Sequence, residues 1–329
     1  MFKKIRWLRH SIQIAFSLFL LYIGWRFYQF VSFFEQAGRQ FVSRPPSVEG
    51  FLPISALMAF KLWLTTGVFD SVHPAGLAIF IAVLLVSWLF KKGFCSWICP
   101  IGTLSEGLGL LGQKIFGSNI TLPRWLDKPL MAVKYLVLGF FLKVIVLDMP
   151  VAAISAFLHA PYNKIADVKM LKFFLSPSPF TVKVLLILML LSLIIRHFWC
   201  RYLCPYGALL GLLSLASPFK ITREENYCVG CRACTRNCPN HLKVDQMRRV
   251  YSPECTACLN CIDSCPVPEA LRVTSTAKRL YLKPPHYIIL LWGTFLAVIL
   301  LAKLTGHWET SIPLEEYARL IPLSDMFSH

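Results

Sequence analysis

Acidic side chains are scarce in this sequence: its 329 residues include 17 Asp and Glu but 34 Lys and Arg. It contains no GxxxxGK(S/T) phosphate-binding loop, no GxSxG nucleophile elbow and no pair of carboxylates spaced for acid–base catalysis. A CxxCH sequence, which would attach haem covalently, is absent too. These absences exclude hydrolases, nucleotide-driven enzymes and c-type cytochromes from the functions that the sequence supports.

Long apolar segments dominate what is present. The sequence is 56% hydrophobic and its mean hydropathy is +0.57, more apolar than an ordinary soluble domain. Because about 20 apolar residues cross a bilayer as a helix, five segments are predicted to be transmembrane spans: residues 11–31, 74–90, 130–147, 180–199 and 286–304. The first is not expected to be a cleaved signal peptide, because bulky aromatic residues rather than small ones follow its apolar run.

The basic residues are distributed unevenly between the two sides of these spans. With the N-terminus in the cytoplasm, the inner segments hold 22 Lys and Arg and the outer segments 7, while the other five lie within spans. The positive-inside rule therefore predicts a multi-pass protein of the bacterial inner membrane, with residues 196–285 cytoplasmic and the tail from residue 305 periplasmic. Since orientation explains the excess of positive charge, no nucleic-acid partner is predicted.

Ionisable residues within the spans are few. No histidine lies in the middle of a span, so b-type haem, which needs axial ligands inside the helical bundle, is not predicted. The five basic residues are expected to extend their charged ends to the membrane surface. They are Arg26, Lys134, Lys143, Lys183 and Lys303.

Eight of the twelve cysteines follow one spacing twice. Residues 228–238 read CVGCRACTRNC and residues 255–265 read CTACLNCIDSC, each followed by proline. This is the run of bacterial two-cluster ferredoxins, in which the fourth cysteine binds the other cluster. Structural zinc and disulfides are not expected, because the spacing differs from zinc knuckles and the segment is predicted to be cytoplasmic. The predicted ligands of one [4Fe–4S] cluster are Cys228, Cys231, Cys234 and Cys265, and those of the second are Cys255, Cys258, Cys261 and Cys238.

The other four cysteines lie in a repeated motif. Residues 95–104 read CSWICPIGTL and residues 200–209 read CRYLCPYGAL, so both copies contain C-x3-C-P-x-G-x-L after an apolar segment. The likeness extends backwards to Ile-Ser-Ala at residues 54–56 and 154–156. Both copies run in the same direction, which predicts a parallel internal repeat. The Ile-Ser-Ala segments are predicted to be half-helices that line a cavity suited to a lipophilic substrate.

The CxxxCP motif leaves three roles open for its cysteines. Side chains at positions i and i+4 share one face of a helix, and the proline leaves backbone amides free to favour the thiolate. Two such pairs together would supply four thiolates to a third metal centre, for which iron–sulfur is the favoured type. The alternatives are thiol pairs that exchange electrons or metal with a partner, and buried cysteines without reactivity. The residues concerned are Cys95, Cys99, Cys200 and Cys204.

With all twelve cysteines placed, the sequence resembles the NapH/MauN class of membrane-bound ferredoxin-type proteins, within a wider group that includes NosR-like and CcoG-like polyferredoxins. The resemblance rests on the two CxxxCP motifs, the double ferredoxin run and the connection SPFKITREENYC at residues 217–228. It implies electron transfer between the quinol/quinone pool and a redox partner protein, with quinol or quinone as substrate. Compared with the shortest NapH forms, this sequence adds a fifth span and an outer tail, which leaves the partner open.

Four polar residues near the predicted outer surface are candidates for the chemistry of a quinol. His73 and His159 lie near the outer ends of the two repeats, and one of them could accept a quinol proton. Ser55 and Ser155 belong to the Ile-Ser-Ala segments. Ordinary interface histidines, and small residues that allow close helix packing, are the alternatives.

The predicted fold is mainly α: a polytopic transmembrane helical protein of about five spans, with an internal parallel repeat and a cytoplasmic two-cluster ferredoxin domain. The predicted segments are residues 1–31 (membrane anchor), 32–105 (outer loop, half-helix, second span and first CxxxCP motif), 106–129 (inner amphipathic connection), 130–217 (third and fourth spans with the second motif), 218–285 (ferredoxin domain) and 286–329 (fifth span and outer tail).

The predicted function is that of a quinol dehydrogenase-type component. Electrons are expected to move between the membrane quinone pool and a reductase, cytochrome or other iron–sulfur subunit, through two [4Fe–4S] clusters and the paired CxxxCP cysteines. Two other classes remain open. One is an assembly factor that reduces a metal ion for a respiratory metalloenzyme, and the other is a redox-inactive membrane anchor that provides a docking surface.

Overall fold

The computed structural model describes residues 4–36, 39–276 and 280–327, which form a mainly helical protein with a small antiparallel sheet. The chain divides into two compact units. Unit 1 contains Met1–Ser17, Val83–Gly139 and Val184–Thr294, and unit 2 contains Leu18–Ala82, Phe140–Lys183 and Phe295–His329.

The helices and strands follow one another along the chain as follows. The α-helices are α1 (Lys4–Glu35), α2 (Pro53–Thr66), α3 (Pro74–Leu89), α4 (Gly93–Trp97), α5 (Pro100–Phe116), α6 (Arg124–Leu142), α7 (Val151–Leu158), α8 (Pro161–Lys164), α9 (Ala166–Leu175), α10 (Pro179–Ile194), α11 (Pro205–Leu213), α12 (Ala233–Arg236), α13 (Asn260–Asp263), α14 (Pro284–Leu304) and α15 (Leu314–Leu320). The strands are β1 (Phe219–Arg223), β2 (Leu271–Ser275) and β3 (Tyr281–Leu282), and π-helical turns occupy Lys143–Asp148 and Trp199–Leu203.

The membrane class predicted from the sequence is supported by the long apolar helices. Within the described residues, three helical segments are long and apolar enough to cross a bilayer: Ile5–Glu35, Arg124–Asp148 and Pro284–Leu304. A fourth is present if α9 and α10 count as one span, although they bend by 78° at a proline-containing break. Helix α3 has 16 residues, about 24 Å of helix, which is shorter than the hydrocarbon core. The structure therefore supports three or four spans by length, where the sequence predicted five.

In unit 1, the sheet carries the ferredoxin segment. Strand β1 pairs antiparallel with β2, and Ile221 lies opposite Val273. The inward residues of both strands pack with Val244 and Val250 into a core that also includes three of the ferredoxin cysteines. The cysteine loops are thus held on a hydrophobic base rather than on the surface of the sheet.

Helix α5, also in unit 1, has its small and polar side buried. Gly102, Ser105, Glu106, Gly109 and Gly112 are buried, while its larger apolar side chains are exposed. The exposed set includes Leu104, Leu111 and Ile115. This arrangement is the reverse of a soluble amphipathic helix and fits a helix that lies against lipid.

In unit 2, the two Ile-Ser-Ala segments lie in neighbouring helices, one near the start of α2 and the other in the middle of α7. Helix α2 begins at Pro53 and ends at Thr66, and the φ of 74° at Gly67 allows the left-handed C-cap. Helix α7 packs on α2, and Met58, Leu62, Ile154 and Leu158 share one hydrophobic core.

A second hydrophobic core in unit 2 includes the tail beyond residue 305. Tyr317 and Ile321 of the tail are buried against Phe30 and Val31 of α1 and Ile165. Tyr317 is 1% exposed. The tail is therefore part of the folded core of unit 2 and not a loosely attached amphipathic end.

Candidate metal centres and a lipophilic cavity

The two ferredoxin loops have the same local structure at an offset of 27 residues. Each contains a short helix, α12 in the first loop and α13 in the second. Before each helix the backbone turns through left-handed conformations, at Gly230 and Arg232 in the first loop and at Ala257 and Leu259 in the second. These turns bend the chain so that successive cysteines face one side, which is why CxxCxxC spacing suits a compact cluster.

Each predicted set of four ferredoxin cysteines lines one small cavity in unit 1. The first cavity is bordered by Cys228, Cys231, Cys234 and Cys265. The second is bordered by Cys238, Cys255, Cys258 and Cys261. In each cavity, three thiols come from one loop and the fourth comes from the end of the other.

The donor chemistry of these cavities fits iron–sulfur clusters. In the described part of the chain, no group of three or more His, Cys, Asp or Glu side chains is close enough together to hold a metal ion directly. The four thiols of each set border one cavity, and a polynuclear cluster takes one thiolate on each iron. Backbone amides support the thiolate form: the amide of Gly230 lowers the pKa of Cys228.

The CxxxCP cysteines occupy equivalent places in the two copies of the motif. Cys99 and Cys204 are the N-caps of α5 and α11, each of which starts with the motif proline. The amides of Cys99 and Cys204 donate to the carbonyl oxygens five residues earlier, at 2.9 and 3.0 Å. The preceding cysteine lies in α4 in the first copy (Cys95) and in a π-helical turn in the second (Cys200).

The four CxxxCP thiols form one group in unit 1. Cys95 interacts electrostatically with Cys99, Cys200 and Cys204. Burial raises the pKa of Cys99 to about 11 and that of Cys200 to about 12, so these sites are unfavourable for free thiolates and need a compensating charge. The amide of Gly207 donates to Sγ of Cys204 at 3.2 Å. Half-buried thiols with amide donors are a donor set that fits a metal centre.

Lys92 supplies positive charge beside this group. Its ammonium interacts with Cys95, Cys200 and Cys204, and it lies 3.7 Å from Oε2 of Glu254. Burial by itself would lower the pKa of Lys92, but Glu254 and the thiols raise it above its usual value. Lys92 therefore remains charged beside the thiols.

Direct hydrogen bonds join the first CxxxCP motif to the second ferredoxin loop. The hydroxyl of Ser96 donates to the carbonyl of Thr256 at 2.7 Å, and the indole N–H of Trp97 donates to the carbonyl of Ala257 at 3.1 Å. Thr256 and Ala257 lie between two cysteines of the second cavity. The residues between the two cysteines of the first motif are thus bonded directly to the backbone of the second ferredoxin loop.

The second CxxxCP motif is joined to the same region by a charged side chain. Arg201 donates to the carbonyl of Asn240 at 2.9 Å, and Asn240 donates in turn to the carbonyl of Glu254 at 2.8 Å. Two further guanidinium bonds, of 3.0 and 2.7 Å, connect Arg201 to the carboxylate of Asp127.

One sequence-based prediction about the span residues is wrong. Lys134 does not extend to the membrane surface: it is 0% exposed, and its Nζ donates to both carboxylate oxygens of Glu254, at 2.6 and 2.7 Å. An ammonium buried in the protein is stable only with such a partner. Lys143, by contrast, is exposed and paired with Asp148, as expected for an interfacial lysine.

A buried ion pair in unit 1 was not predicted from the sequence. Arg9 donates to both carboxylate oxygens of Glu106 at 2.6 Å. Burial alone would raise the pKa of Glu106, but Arg9 lowers it to about 2. The only sequence signal was an acidic residue within an otherwise small and apolar helix, and its partner lies 97 residues away.

Unit 2 contains a cavity of about 780 Å³ at the first Ile-Ser-Ala segment. This volume lies in the range of small-molecule sites. Aromatic and aliphatic side chains make most of its wall, with polar atoms at a few points. The lining includes Phe51, Ile54, Ser55, Phe157, Tyr162, Asn163, Lys169, Met170 and Phe173.

A buried polar network lies behind this wall. Ser55 donates to Oδ1 of Asn163 at 2.9 Å, and the carbonyl of Asn163 is 2.7 Å from Nε2 of His73. Because a carbonyl only accepts, Nε2 of His73 carries a proton. Its Nδ1 is 3.5 Å from Oε1 of Glu49. Burial alone would lower the pKa of His73, but Glu49 raises it above the usual value.

The second copy of the repeat differs at these positions. Ser155 does not line the cavity, and Nδ1 of His159 lies 2.9 Å from the carbonyl oxygen of Ser155 on an exposed surface. Of the four polar candidates in the sequence, Ser55 and His73 therefore belong to the cavity and its network.

Comparison with known proteins gives matches over the regions described above. A family described as a 4Fe-4S binding domain matches residues 72–119 and again residues 178–224. A second, described as a 4Fe-4S dicluster domain, matches residues 220–266. No solved structure matches.

Curated relatives extend the similarity to nearly the whole chain. YccM of Escherichia coli (strain K12), whose name describes an electron transport protein, is 44% identical over 98% of this chain and 91% of its own length. The ferredoxin-type protein NapH of Haemophilus influenzae is 28% identical over 60% of this chain and 66% of its own. The methylamine utilization ferredoxin-type protein MauN of Methylobacillus flagellatus is 30% identical over 52% and 57%, respectively.

Proposed function

The chain belongs to the NapH/MauN-type group of iron–sulfur electron-transport proteins, and on this premise we propose that it moves electrons between the membrane quinone pool and a redox partner. One observation carries the proposal. The twelve cysteines of unit 1 fall into three groups of four, and direct hydrogen bonds join the CxxxCP group to one of the ferredoxin cavities.

Two of the groups are proposed to hold [4Fe–4S] clusters. Cys228, Cys231, Cys234 and Cys265 would bind one, and Cys238, Cys255, Cys258 and Cys261 the other. When bound, each cluster supplies a one-electron donor or acceptor, so that two of them match the two electrons of one quinol. The protein's part is to exclude water from the second set and to donate amide hydrogen bonds to the sulfurs, both of which tune the potential.

The third group, Cys95, Cys99, Cys200 and Cys204, is proposed to hold a further iron–sulfur centre. The two copies of the motif contribute one pair of thiols each, and a single family description matches both copies, which supports a parallel repeat. The charged Lys92 beside the thiols favours a bound, negatively charged thiolate set over four neutral thiols.

The quinone or quinol is proposed to bind in the cavity of unit 2. Aromatic and aliphatic side chains of the wall would contact its ring and tail, as is typical of apolar ligand sites. Ser55 already donates its proton to Asn163, so its oxygen has lone pairs left to accept a hydrogen bond from a quinol hydroxyl. His73 holds one proton on Nε2, and Nδ1, facing Glu49, is where it takes up a second.

The proposed topology has five spans, with the N-terminus and the ferredoxin segment in the cytoplasm and the tail in the periplasm. The distribution of Lys and Arg supports this orientation. Helix α3 is short for a span and would need a locally thin bilayer. Reporter fusions after residues 120 and 327 test the topology: an active cytoplasmic reporter at 327 would contradict it.

Metal analysis tests the number of centres. Anaerobically purified protein should contain about twelve irons and twelve sulfides per chain. Cys99→Ala and Cys204→Ala should each remove about four irons, because both cysteines belong to one centre, and the electron paramagnetic resonance signals of the two ferredoxin clusters should persist. A wild-type content of about eight irons that neither substitution changes would contradict a third centre.

Quinol oxidation tests the substrate. Protein in lipid vesicles is mixed anaerobically with a quinol, and cluster reduction is followed by electron paramagnetic resonance. Ser55→Ala should slow reduction by quinol at least about tenfold, since it removes the oxygen proposed to accept from the quinol hydroxyl, but should leave reduction by dithionite unchanged. Ser155→Ala, in the second copy, is the matched control. If no cluster changes state with any quinol at poised potential, the quinol function is wrong, and oxidation by a metal ion without quinone would favour an assembly role.

A further inference from the structure

The two ferredoxin loops have the same spacing and the same turns but opposite exposure. In the first loop, Val229 is 67% exposed and Cys231 is exposed. In the second loop, Cys258 is 8% exposed and Leu259 is 0% exposed. The contrast is sharpest at the residue with left-handed backbone that precedes each short helix. In the first loop this residue is Arg232, whose side chain is 73% exposed, and in the second loop it is the buried Leu259.

Contacts from the rest of unit 1 explain why the second loop is covered. Ser96 and Trp97 donate to its carbonyls, and Lys91 donates to the carbonyl of Ser252 just before it, at 3.1 Å. In the first loop, Arg232 lies 3.7 Å from Asp245, and Thr235 is bonded to Asp245 as well, so these polar contacts stay within the ferredoxin segment. The second loop is thus the covered end of the ferredoxin segment, and the first loop is its open end.

The open end has the composition of a transient protein interface. Its centre is apolar around an exposed cysteine, and its edge is basic. We define the first-loop face as Tyr227, Val229, Cys231, Arg232 and Arg236; Tyr227 is 52% exposed, and Arg236 is exposed. An apolar or aromatic centre with a charged rim is typical of interfaces that form and separate quickly.

The positive charge of the first-loop face favours a partner with negative charge. Arg232 and Arg236 project from it, and Lys243 and Arg248 are also exposed in the following segment. Of the nearby acidic residues, Glu225 lies 3.3 Å from Arg223, and Asp245 is largely covered. The excess of positive charge would steer an acidic protein towards the exposed cysteine.

We propose that the first-loop face is the docking surface for a soluble one-electron carrier protein with an acidic surface. This inference rests on the proposed function, because it requires a cluster on Cys228, Cys231, Cys234 and Cys265. Each encounter would transfer one electron between carrier and cluster, and no bond forms and no proton moves. A protein is favoured over an anionic membrane because the face surrounds the exposed Cys231, a proposed cluster ligand, and a lipid phosphate has no electron to exchange with a cluster there.

The test uses charge reversal in the full-length protein with its clusters. The double variant Arg232→Glu/Arg236→Glu is compared with Lys114→Glu/Lys283→Glu, which changes the net charge equally at exposed residues outside the first loop. The probe is a reduced, acidic plant-type [2Fe–2S] ferredoxin mixed in a stopped-flow instrument at low ionic strength. Reduced methyl viologen, a small cation, serves as a donor that needs no docking.

The proposal predicts a selective loss. Arg232→Glu/Arg236→Glu should lower the second-order rate constant with ferredoxin about 10- to 100-fold. The wild-type rate constant should fall as salt is added, and the variant should lose this decrease. The rate with methyl viologen should not fall, and the control pair should behave like the wild type. Equal effects of both pairs, or an unchanged ferredoxin rate, would overturn the proposal. So would an unchanged rate combined with lost binding to phosphatidylglycerol vesicles, which would identify the face as a lipid contact.

Iron content and the methyl viologen reaction separate this proposal from the proposed function. Wild-type protein that holds no iron or does not react with methyl viologen would overturn both. If wild-type protein reacts with methyl viologen but not with ferredoxin, only the proposal of an acidic carrier protein is overturned.

Discussion

The two CxxxCP motifs share their sequence pattern but differ in the backbone around their first cysteine. In both, a proline-initiated helix starts after the second cysteine, and that cysteine's amide bonds to the carbonyl five residues earlier. In the first copy, however, Cys95 lies in α4, whereas Cys200 lies in a π-helical turn, which is wider. A motif can therefore fix the helix start and the backbone bond at its second cysteine while leaving the surrounding packing free to diverge.

The copies also differ in how they are anchored within unit 1. Trp97 of the first copy is fully buried and donates to the second ferredoxin loop. The corresponding residue of the second copy, Tyr202, donates to the carboxylate of Asp127 at 2.6 Å. The first copy is thus fixed by neutral bonds in a dry environment and the second by a partly solvated ion pair. Substitutions at equivalent positions should separate these two kinds of anchoring.

The largest difference is expected at the motif glycines. A Cβ on Gly102 would lie 2.0 Å from the carbonyl oxygen of Cys95, whereas a Cβ on Gly207 would lie 3.7 Å from that of Cys200. Gly102→Ala should cost about 3 kcal/mol or more, because the backbone of α4 must move. Gly207→Ala should be neutral or stabilise by up to about 1 kcal/mol, since alanine favours the helix. Thermal unfolding and iron content measure both variants, and equal effects would mean that the two copies are packed alike.

The next largest difference is expected between two ion pairs of unit 1, Lys134–Glu254 and Arg201–Asp127. Lys134→Met leaves the buried carboxylate of Glu254 with only Lys92 at 3.7 Å and the hydroxyl of Tyr135, and should cost about 3 kcal/mol. Asp127→Asn, at a carboxylate that is 18% exposed, should cost about 1 kcal/mol. Unfolding by denaturant tests the pair. Lys134→Met combined with Glu254→Gln should recover part of the loss, and a double variant no more stable than Lys134→Met would contradict a charge effect.

The parts that sequence predicted are those encoded by local spacing. The ferredoxin runs predicted which three cysteines of each loop share a cavity, because the chain between them is too short to vary, and the fourth followed from the ferredoxin pattern. The apolar segments predicted where the long helices lie. The burial of Lys134 could not be predicted, because Glu254 is 120 residues away. The opposite exposure of Cys231 and Cys258 could not be predicted either. Both loops have the same spacing, and Leu259 in place of Arg232 is a weak sequence signal beside the packing of distant residues such as Trp97, which covers the second loop.

The smallest difference is expected from the aromatic residues between the motif cysteines. Trp97→Phe removes the donor to the carbonyl of Ala257 and leaves that carbonyl buried, which should cost about 1–3 kcal/mol. Tyr202→Phe should cost about 1 kcal/mol or less, because Asp127 retains both guanidinium bonds from Arg201. Only Trp97→Phe touches the second ferredoxin loop, so only this variant should also shift the midpoint potential of the proposed cluster beside Ala257, in an anaerobic titration followed by electron paramagnetic resonance. A shift of the same size in Tyr202→Phe would show that the two copies act on that cluster equally and that their anchoring does not distinguish them.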